Sequence, residues 1–293
     1  MEQRPRPVVV AVNALLCVVS FCVAAAGAEN VTAVTTYDAK NYGATGNGVD
    51  DDTKGLMAAW KAACGTPGTV TLMIPPGTYY IGATQFHGPC KASAITFLLQ
   101  ASTWDAHGGD RSKRFGNDWI EFGWVTDLTV AGQNGGIIDG QGAASWPFNK
   151  CPVRKDCRVL PTSVMFVNNE NTVVRDITSV NSKFFHIALL HNNNMRMSNL
   201  RIHAPENSPN TDGIHIERNT GGNQNIHIAR VHCGPGHGMS VGSLGRYVGE
   251  GDVTGIHVTD MTFVGTMNGV RVKTWENSPT KSLAAHIAVR GTW

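Results

Sequence analysis

The amino-acid sequence predicts an all-β protein, a right-handed parallel β-helix whose first coil is covered by a helix. Glycine is abundant, with 33 residues among 293, which favours turn-rich β structure over a helical bundle. Beyond residue 163, a pair of short strands rich in Val and Ile recurs. The first strands lie near Val173, Met195, Ile226 and Ile256, at steps of 22, 31 and 30 residues. A two-strand unit that repeats at this length is typical of a solenoid.

The bulk composition suits a single large soluble domain or two small ones. Hydrophobic residues make up 42% of the chain and charged residues 16%, a balance that supports a sizeable core. The formal net charge is only +2, which excludes a nucleic-acid-binding tail and a polybasic membrane segment. Any attraction for an anionic ligand must therefore come from a local patch, and we expect no nucleic-acid partner.

The first 28 residues are predicted to be a signal peptide. Two arginines precede an apolar run over residues 8–26, and small residues then lead to a cleavage site after Ala28. An uncleaved membrane anchor is the alternative, but the run carries Asn13 and is short for a membrane span. We therefore expect a secreted, extracellular domain over residues 29–293 that has no membrane contact after cleavage.

The cysteines predict two disulfides and one unpaired thiol. Seven are present, and two of them lie in the predicted signal peptide. In an oxidising compartment, Cys151 and Cys157 close a short loop, and Cys64 with Cys90 forms a reasonable second pair. Cys233 is left without a partner.

A helix is predicted at the N-terminal end of the solenoid. Asp50–Asp52 offers N-cap groups, and an apolar face follows with Leu56, Ala59, Trp60 and Ala63. This helix, ending at Cys64, would cover the open first coil, because the terminal repeats of a solenoid must be capped. The aspartates could alternatively bind a cation, but capping and solvation explain them better.

Strands are predicted for most of the remaining chain, and no linker separates two domains. Residues 101–116 and 143–161 are expected to be loops. The N-terminal strands are predicted at 69–74, 78–81, 94–99, 118–122, 127–131 and 136–138. In the repeats, second strands are predicted at 185–190, 213–216, 239–241 and 269–272.

The polar motifs of the repeats all fall in or beside the second strand of their coil. Stacking the coils about 4.8 Å apart places these residues in one column along a groove. The residues concerned are His186, Asp212, His237, Arg271 and Lys273.

This column carries the groups needed to cleave an acidic sugar polymer. Asp212 can serve as a base toward water, although an aspartate before glycine is also common in turns. His237 lies between two glycines, so a ligand can approach its ring closely. Arg271 and Lys273 project from one side of a strand and can hold a carboxylate.

A zinc site is the weaker alternative. It would use His227, His232, Cys233 and His237, but strand alternation scatters these side chains over different faces. We therefore expect no metal and no organic cofactor.

Several segments resemble the plant polygalacturonases of glycoside hydrolase family 28, and the resemblance covers nearly all of residues 36–293. Asn181–His186 and Gly269–Pro279 are most similar to the pollen-type exopolygalacturonase branch. The segments that carry the family resemblance are Asn41–Thr53, Ser208–Ile216, Cys233–Gly245 and Asn268–Trp275.

The resemblance implies inverting hydrolysis of the α-1,4 links of de-esterified pectin in a β-helix cleft of the cell wall. By motif, Asp212 matches the aspartate of N-T-D, the base, and His237 matches the histidine of G-H-G. Arg271 and Lys273 match the R-[IV]-K pair that grips a galacturonate carboxylate. The prediction for the site is therefore catalytic Asp212 and His237, with Asn210, His186, Arg271 and Lys273 binding polygalacturonate in a monomer.

One family motif is missing. Relatives carry T-G-D-D-C between N-T-D and G-H-G, which supplies the general acid and a second aspartate that activates water. Here Arg218 runs almost directly into Gly222, so about one coil is expected to be absent, together with C-terminal coils beyond Trp293. Because removing a whole coil preserves the register of a solenoid, His237 should lie about 4.8 Å from the Asp212 row.

The expected consequence is a glycosidase with doubtful turnover. His237 could replace the acid only if its pKa rose, and losing a positioned acid typically lowers rates by roughly 10²–10⁴-fold. The alternatives are a non-catalytic galacturonan-binding β-helix and an unstable product of a truncated transcript. A pectate lyase is disfavoured, because its calcium-binding carboxylates cannot be assembled from this column.

Overall fold

The structure is a computed structural model that describes residues 33–106, 118–149, 159–217, 222–246, 248–279 and 284–290. The predicted signal peptide and the predicted Cys151–Cys157 disulfide lie outside the described residues. None of the described helices is both long and apolar enough to cross a membrane.

The described chain contains strands, one α-helix and short 3-10 turns. The α-helix α1 spans Thr53–Cys64, and 3-10 turns lie at Ala39–Tyr42, Gly142–Ala144 and Trp146–Phe148. The N-terminal strands are β1 (Thr35–Asp38), β2 (Asn47–Asp51), β3 (Gly68–Ile74), β4 (Gly77–Ile81), β5 (Thr84–His87), β6 (Ala92–Gln100), β7 (Ser102–Ala106), β8 (Asp118–Gly123) and β9 (Leu128–Asp139). The remaining strands are β10 (Thr162–Val167), β11 (Glu170–Val180), β12 (Ile187–Leu190), β13 (Asn193–His203), β14 (Ile214–Ile216), β15 (Gln224–Cys233), β16 (Met239–Leu244), β17 (Val253–Phe263), β18 (Val270–Thr274) and β19 (Ala284–Arg290).

The strands form two ladders of parallel pairs, which confirms the predicted parallel β-helix. A 12-stranded sheet has the main order β1-β3-β6-β9-β11-β13-β15-β17-β19, and β2, β4 and β7 join beside it. A 7-stranded sheet has the order β18-β16-β14-β12-β10-β8-β5. Each coil of the repeat region contributes one strand to each sheet, as the two-strand unit predicted.

Two details of the predicted strands are wrong. Residues 127–131 and 136–138 belong to one long strand, β9, rather than two. The segment expected to be a loop at 101–116 begins with β7, which pairs in parallel with β4 and β9. In both places, pairing with neighbouring coils extends strand structure across residues that look turn-like in isolation.

The core is the interior of the solenoid and is apolar along its length. Inward residues at the same height of successive coils stack on one another. Phe86, Phe122 and Phe166 illustrate this, with ring centroids 5.1 and 5.4 Å apart in successive pairs. Burial of such columns is the main force that holds the coils together.

The capping helix is present as predicted. Leu56, Ala59, Trp60 and Ala63 are buried in the core, and the predicted disulfide between Cys64 and Cys90 is confirmed.

The predicted capping role of the aspartates is only partly right. Asp52 makes no side-chain cap bond to α1. Its carboxylate instead accepts hydrogen bonds from the backbone N–H groups of Thr45, at 2.5 Å, and Tyr80, at 3.2 Å. Asp51 accepts from the N–H of Thr53 at 3.0 Å. The acidic run therefore joins the loop before the helix to the first coils.

A ladder of buried asparagines fixes the turn between the two strands of successive coils. Asn169 and Asn192 accept hydrogen bonds from the N–H groups of Val125 and Asn169, at 3.0 and 3.1 Å. Asn223 accepts from the N–H of Asn192 at 3.0 Å. The side-chain amide of Asn192 donates to the carbonyl of Phe166 at 2.8 Å. These bonds satisfy buried backbone groups that the strand ladders leave unpaired.

The coils on either side of residues 218–221 stack directly on each other. Strand β13 pairs with β15, with Met195 opposite Ile226. Strand β14 pairs with β16, with Ile214 opposite Met239. This is the restacking that the sequence predicts for a β-helix lacking one whole coil.

We expect Asn192→Leu to lower the free energy of unfolding by about 2–4 kcal/mol. The substitution keeps the volume but leaves the N–H of Asn169 and the carbonyl of Phe166 without partners. Chemical denaturation of the chain from residue 29 measures the change. The exposed Asn193→Leu is the matched control, with an expected change below about 0.5 kcal/mol. Equal effects of the two substitutions would contradict the structural role of the ladder.

Candidate active site

The candidate site lies on the outer face of the 7-stranded sheet, where β14, β16 and β18 run side by side. His215 pairs with Ser240, and Ser240 pairs with Arg271. Because strand neighbours alternate between the two faces, these three residues point outward in one row across three coils. Asp212 precedes β14 by two residues and reaches into the same row.

Asp212 is the centre of the site. Its residue is only 1% exposed, and Oδ2 accepts a hydrogen bond from Lys273 Nζ at 2.7 Å. The hydroxyl of Ser240 also donates to Oδ2. His215 Nδ1 lies 2.7 Å from Ser240 Oγ and 3.2 Å from Asp212 Oδ2. One carboxylate oxygen is therefore held from three directions.

Oδ1 of Asp212 is arranged differently. It is buried and has no hydrogen-bond partner among the described residues, and Arg271 Nη2 lies 3.9 Å from it. An ionised carboxylate accepts hydrogen bonds at both oxygens. Oδ1 is thus the oxygen of Asp212 whose capacity to accept a hydrogen bond is not used by the described residues.

The surroundings keep Asp212 ionised. Burial by itself raises the pKa of Asp212, because it disfavours the charged form. The hydrogen bond from His215, the charge and hydrogen bond of Lys273, and the hydroxyl of Ser240 outweigh burial. Together they hold the pKa of Asp212 well below its ordinary value. The carboxylate is therefore deprotonated at any physiological pH.

The two cations of the predicted pair have different surroundings. Lys273 is committed to Asp212 and lies 5.7 Å from the ring centroid of Phe185. The side chain of Arg271 is 36% exposed, and its Nε has no hydrogen-bond partner among the described residues. The guanidinium of Arg271 is thus available to a carboxylate of a ligand, whereas the ammonium of Lys273 positions the aspartate.

Three residues of the site do not figure in the prediction from sequence. His215 and Ser240 hold the carboxylate of Asp212, and Phe185 stacks on the ring of His215 with centroids 3.8 Å apart. The alternation of strands carried a signal for them. His215 follows Asp212 by three residues on an outward position, and Ser240 follows His237 with the same spacing.

His237 lies opposite Asp212 in the next coil, because Gly213 donates its N–H to the carbonyl of Gly238 at 2.6 Å. Its Nδ1 is 3.3 Å from the hydroxyl of Thr211. Burial lowers the pKa of His237, and the charges of Arg271 and Lys273 add to this against the opposing effect of Asp212. These surroundings therefore do not provide the raised pKa that an acid role for His237 would need, and its catalytic role stays a prediction.

The predicted position of His186 is wrong. Its residue is 0% exposed, and Nδ1 lies 2.9 Å from the hydroxyl of Ser179 inside the solenoid. Burial and the neighbouring His203 lower the pKa of His186 to about 3. The polypeptide bends just before β12, and this turns the ring inward. Asn210 does lie on the exposed turn before Asp212, and its contact with substrate stays a prediction.

Comparison with known proteins identifies the family. Residues 64–221 and 219–287 match the model of Glycosyl hydrolases family 28. The chain belongs to glycoside hydrolase family 28. The two matched segments meet at residues 219–221, where the sequence predicts the missing coil.

Family 28 relatives are closely similar in sequence. An exopolygalacturonase from Platanus acerifolia is 41% identical over 264 residues, covering 84% of this chain and 68% of that protein. An exopolygalacturonase from Zea mays is 39% identical over 273 residues, covering 86% of this chain and 65% of that protein. This family 28 chain therefore spans about two thirds of the length of these relatives.

Solved structures agree with the fold of this family 28 chain. The crystal structure of endo-xylogalacturonan hydrolase from Aspergillus tubingensis matches with a TM-score of 0.64 at 21% identity. The match covers 87% of this chain and 72% of that one. At this level of identity the likeness concerns the fold alone.

Two further carboxyl groups lie at the ends of strands of the 7-stranded sheet. Glu217 directly follows β14, and Asp118 begins β8. Burial raises the pKa of Glu217, with His215 partly offsetting the effect. Burial, together with the nearby Glu121 and Glu217, raises the pKa of Asp118 to about 7. The pKa values of these two carboxyls are therefore shifted in the opposite direction to the pKa of Asp212.

The part of the chain that the structure describes contains no group of three or more His, Cys, Asp or Glu side chains able to hold a metal ion. Within the described residues, Cys233 is a free and buried cysteine, and burial raises the pKa of its thiol to about 12. The zinc site considered from the sequence is therefore not assembled from His227, His232, Cys233 and His237.

The shifted pKa of Asp118 predicts a pH-dependent gain in stability for Asp118→Asn. Unfolding restores the ordinary pKa of 3.8 from about 7, so the folded state binds more protons between these values. The wild-type chain therefore loses stability as the pH rises from 4 to 7. We expect the stability of the variant relative to wild type to rise by at least about 1 kcal/mol over this range.

Denaturation curves at pH 4 and pH 7 measure this difference. The exposed Asp260→Asn is the matched control for replacing an aspartate by asparagine. A relative stability of Asp118→Asn that is constant or falls with pH would contradict a carboxyl protonated by burial.

Proposed function

We propose that this chain hydrolyses the α-1,4 links of polygalacturonate in pectin, with inversion at the cleaved carbon. The observation that carries the proposal is the ionised carboxylate of Asp212. Its Oδ1 has no hydrogen-bond partner among the described residues and lies beside the partly exposed guanidinium of Arg271. Membership of family 28 and the exopolygalacturonase relatives support the same substrate.

Asp212 is suited to the role of base toward water. Lys273, Ser240 and His215 fix Oδ2, so the carboxylate is held in one orientation without rearrangement during the reaction. Oδ1 can accept a proton from the attacking water. Inverting glycosidases place a general acid at some distance from this base, so that the water fits between them and the sugar.

Arg271 is suited to hold the carboxylate of a galacturonate unit. Its guanidinium is partly exposed and makes only a 3.9 Å contact with Asp212. Arginine can bind a carboxylate through two parallel hydrogen bonds, which fixes both the position and the orientation of the sugar. Neutral polysaccharides lack this group and should bind poorly.

We also propose that the protein acts outside the cell, in the cell wall, as a monomer. The support for secretion is the predicted signal peptide over residues 1–28. The proposed substrate is itself a component of the cell wall, so an extracellular location places enzyme and substrate together.

A galacturonan-binding protein without turnover is the second candidate. The same contacts that hold Asp212 also lower its pKa, and a carboxylate with a low pKa is a weak base. Calorimetric binding of oligogalacturonate without release of reducing ends would support this candidate against hydrolysis.

Asp212→Asn is expected to abolish most of the turnover. The amide cannot accept the proton from water, so kcat on polygalacturonate should fall by roughly 10²–10⁴-fold. Release of reducing ends by the chain from residue 29 measures this. Asp260→Asn, on the 12-stranded sheet, is the control and should retain wild-type activity. Wild-type turnover that survives Asp212→Asn would exclude Asp212 as the base.

Arg271→Ala is expected to weaken substrate binding more than it slows catalysis. Loss of the contact with the sugar carboxylate should raise KM or the calorimetric Kd for trigalacturonate by at least about tenfold, as expected for a charged hydrogen bond. Arg196→Ala, an exposed arginine of β13, serves as the control. If Arg271→Ala binds trigalacturonate as tightly as wild type, another group holds the carboxylate.

A further inference from the structure

Hydrolysis at Asp212 requires a proton donor, and the family's Asp-Asp motif is absent from this chain. The structure offers another carboxyl, which belongs to none of the family motifs. Glu217 lies in the same coil as Asp212, directly after β14. Its backbone is fixed, because its N–H donates to the carbonyl of Leu189 at 2.8 Å and its carbonyl accepts from the side chain of Asn223 at 2.6 Å.

Strand alternation places Glu217 on the outer face of the sheet. His215 points outward and contacts Asp212, Ile216 is buried in the core, and Glu217 follows with the next outward position. Because Ile216 pairs with Val241, the neighbour of Glu217 in the next coil is Gly242. Glycine contributes no side chain there, so the next coil leaves space beside the glutamate.

Asp212 and Glu217 lie on either side of His215 along the chain. Asp212 Oδ2 lies 3.2 Å from the imidazole of His215, and the backbone rises by about 6.6 Å from His215 to Glu217. Inverting glycosidases keep their two carboxyl groups roughly 6.5–9.5 Å apart, so an acid that is set apart from Asp212, and not in contact with it, fits this chemistry. Among the described residues, the Glu217 carboxyl has no hydrogen-bond or ion-pair partner that would occupy it.

The competing proton donors are placed less well. Asp118 belongs to β8, which is separated from β14 by β10 and β12. Three steps of about 4.8 Å put its backbone roughly 14 Å from the Asp212 row, although its charge interacts with that of Glu217. His237 is nearer, but burial lowers its pKa, and the charges of Arg271 and Lys273 add to this effect against the opposing charge of Asp212.

The electrostatic environments of the two carboxyls differ in the direction that the chemistry needs. The contacts from His215, Lys273 and Ser240 keep Asp212 ionised despite its burial. Within the described part of the chain, Glu217 has no side-chain hydrogen bond or ion pair of this kind. Burial raises its pKa, and the charge of His215 partly offsets this effect. Two carboxyls whose surroundings separate their pKa values are typical of an acid and base pair.

We infer that Glu217 is the general acid of this site, donating a proton to the glycosidic oxygen while Asp212 accepts one from water. The bond between C1 and O4 breaks, and its electron pair stays on O4, which takes the proton of Glu217. The water oxygen bonds to C1 from the opposite side and gives a proton to Asp212. Exchange of protons with solvent then restores Glu217 and Asp212.

This inference rests on the proposed function. The test compares the loss of kcat on two substrates, one whose leaving group needs a proton and one whose leaving group does not. Glu217→Gln should lower kcat on polygalacturonate by roughly 10²–10⁴-fold and leave the Kd for trigalacturonate unchanged. On a dinitrophenyl α-galacturonide, whose leaving group needs no proton, kcat should fall less than about threefold. The alkaline limb of the pH profile of kcat/KM should also disappear in the variant.

Matched variants separate an acid from a structural role. Glu170→Gln, on an exposed position of β11, should behave as wild type on both substrates. Asp118→Asn should show the same ratio of activities on the two substrates as wild type. Unchanged binding of trigalacturonate shows that Glu217→Gln is folded.

The outcomes distinguish the inference from the function on which it rests. If the wild type is active, Asp212→Asn is inactive and Glu217→Gln is fully active, the function stands and the inference is overturned. An equal loss for Glu217→Gln on both substrates also overturns it. A wild type that binds trigalacturonate without hydrolysis overturns Glu217 as the acid, and a wild type that neither binds nor hydrolyses overturns the proposed function as well.

Discussion

The parallel pairing of β14 with β16 is the contact on which the whole site depends. It joins the coils on the two sides of residues 218–221 and places Ile214 opposite Met239. The same register brings Ser240 beside Asp212, and the next pairing, of β16 with β18, brings Lys273 within 2.7 Å of that carboxylate. A shift of one residue would turn Ser240 and Arg271 into the core.

The buried charge of Asp212 is compatible with a stable fold because its partners compensate for lost hydration. A buried carboxylate without partners would be strongly destabilising. Here one cation, one hydroxyl and one imidazole surround Oδ2. Because these partners contact Oδ2, the carboxylate of Asp212 is held in one orientation. Oδ1 remains as the oxygen that can accept a hydrogen bond from a ligand or water. The same contacts therefore serve both stability and function.

The outer face of the 7-stranded sheet beside the site is apolar toward the N-terminal coils, and we call this surface the apolar floor. Met165, Val167, Phe185 and Ala188 form a buried cluster on the outer side of the 7-stranded sheet. Phe185 connects this cluster to the site by stacking on His215. An apolar floor lowers the local dielectric, which strengthens the interactions of nearby charges. It also accounts for the raised pKa of carboxyls at its edges, such as Glu217.

The sequence alone determined the solenoid, the capping helix, the Cys64–Cys90 disulfide and the grouping of Asp212, His237, Arg271 and Lys273. These features follow from local periodicity and from motifs with fixed spacing. Only the tertiary structure decided that His186 points inward, that Lys273 is committed to Asp212 rather than free, and that His215 and Ser240 hold the carboxylate. The direction of a side chain at a coil corner, and the hydrogen-bond partners of a side chain on a neighbouring coil, depend on contacts between residues distant in sequence. Strand alternation predicts the face on which His215 and Ser240 lie, but it does not predict which atoms they contact.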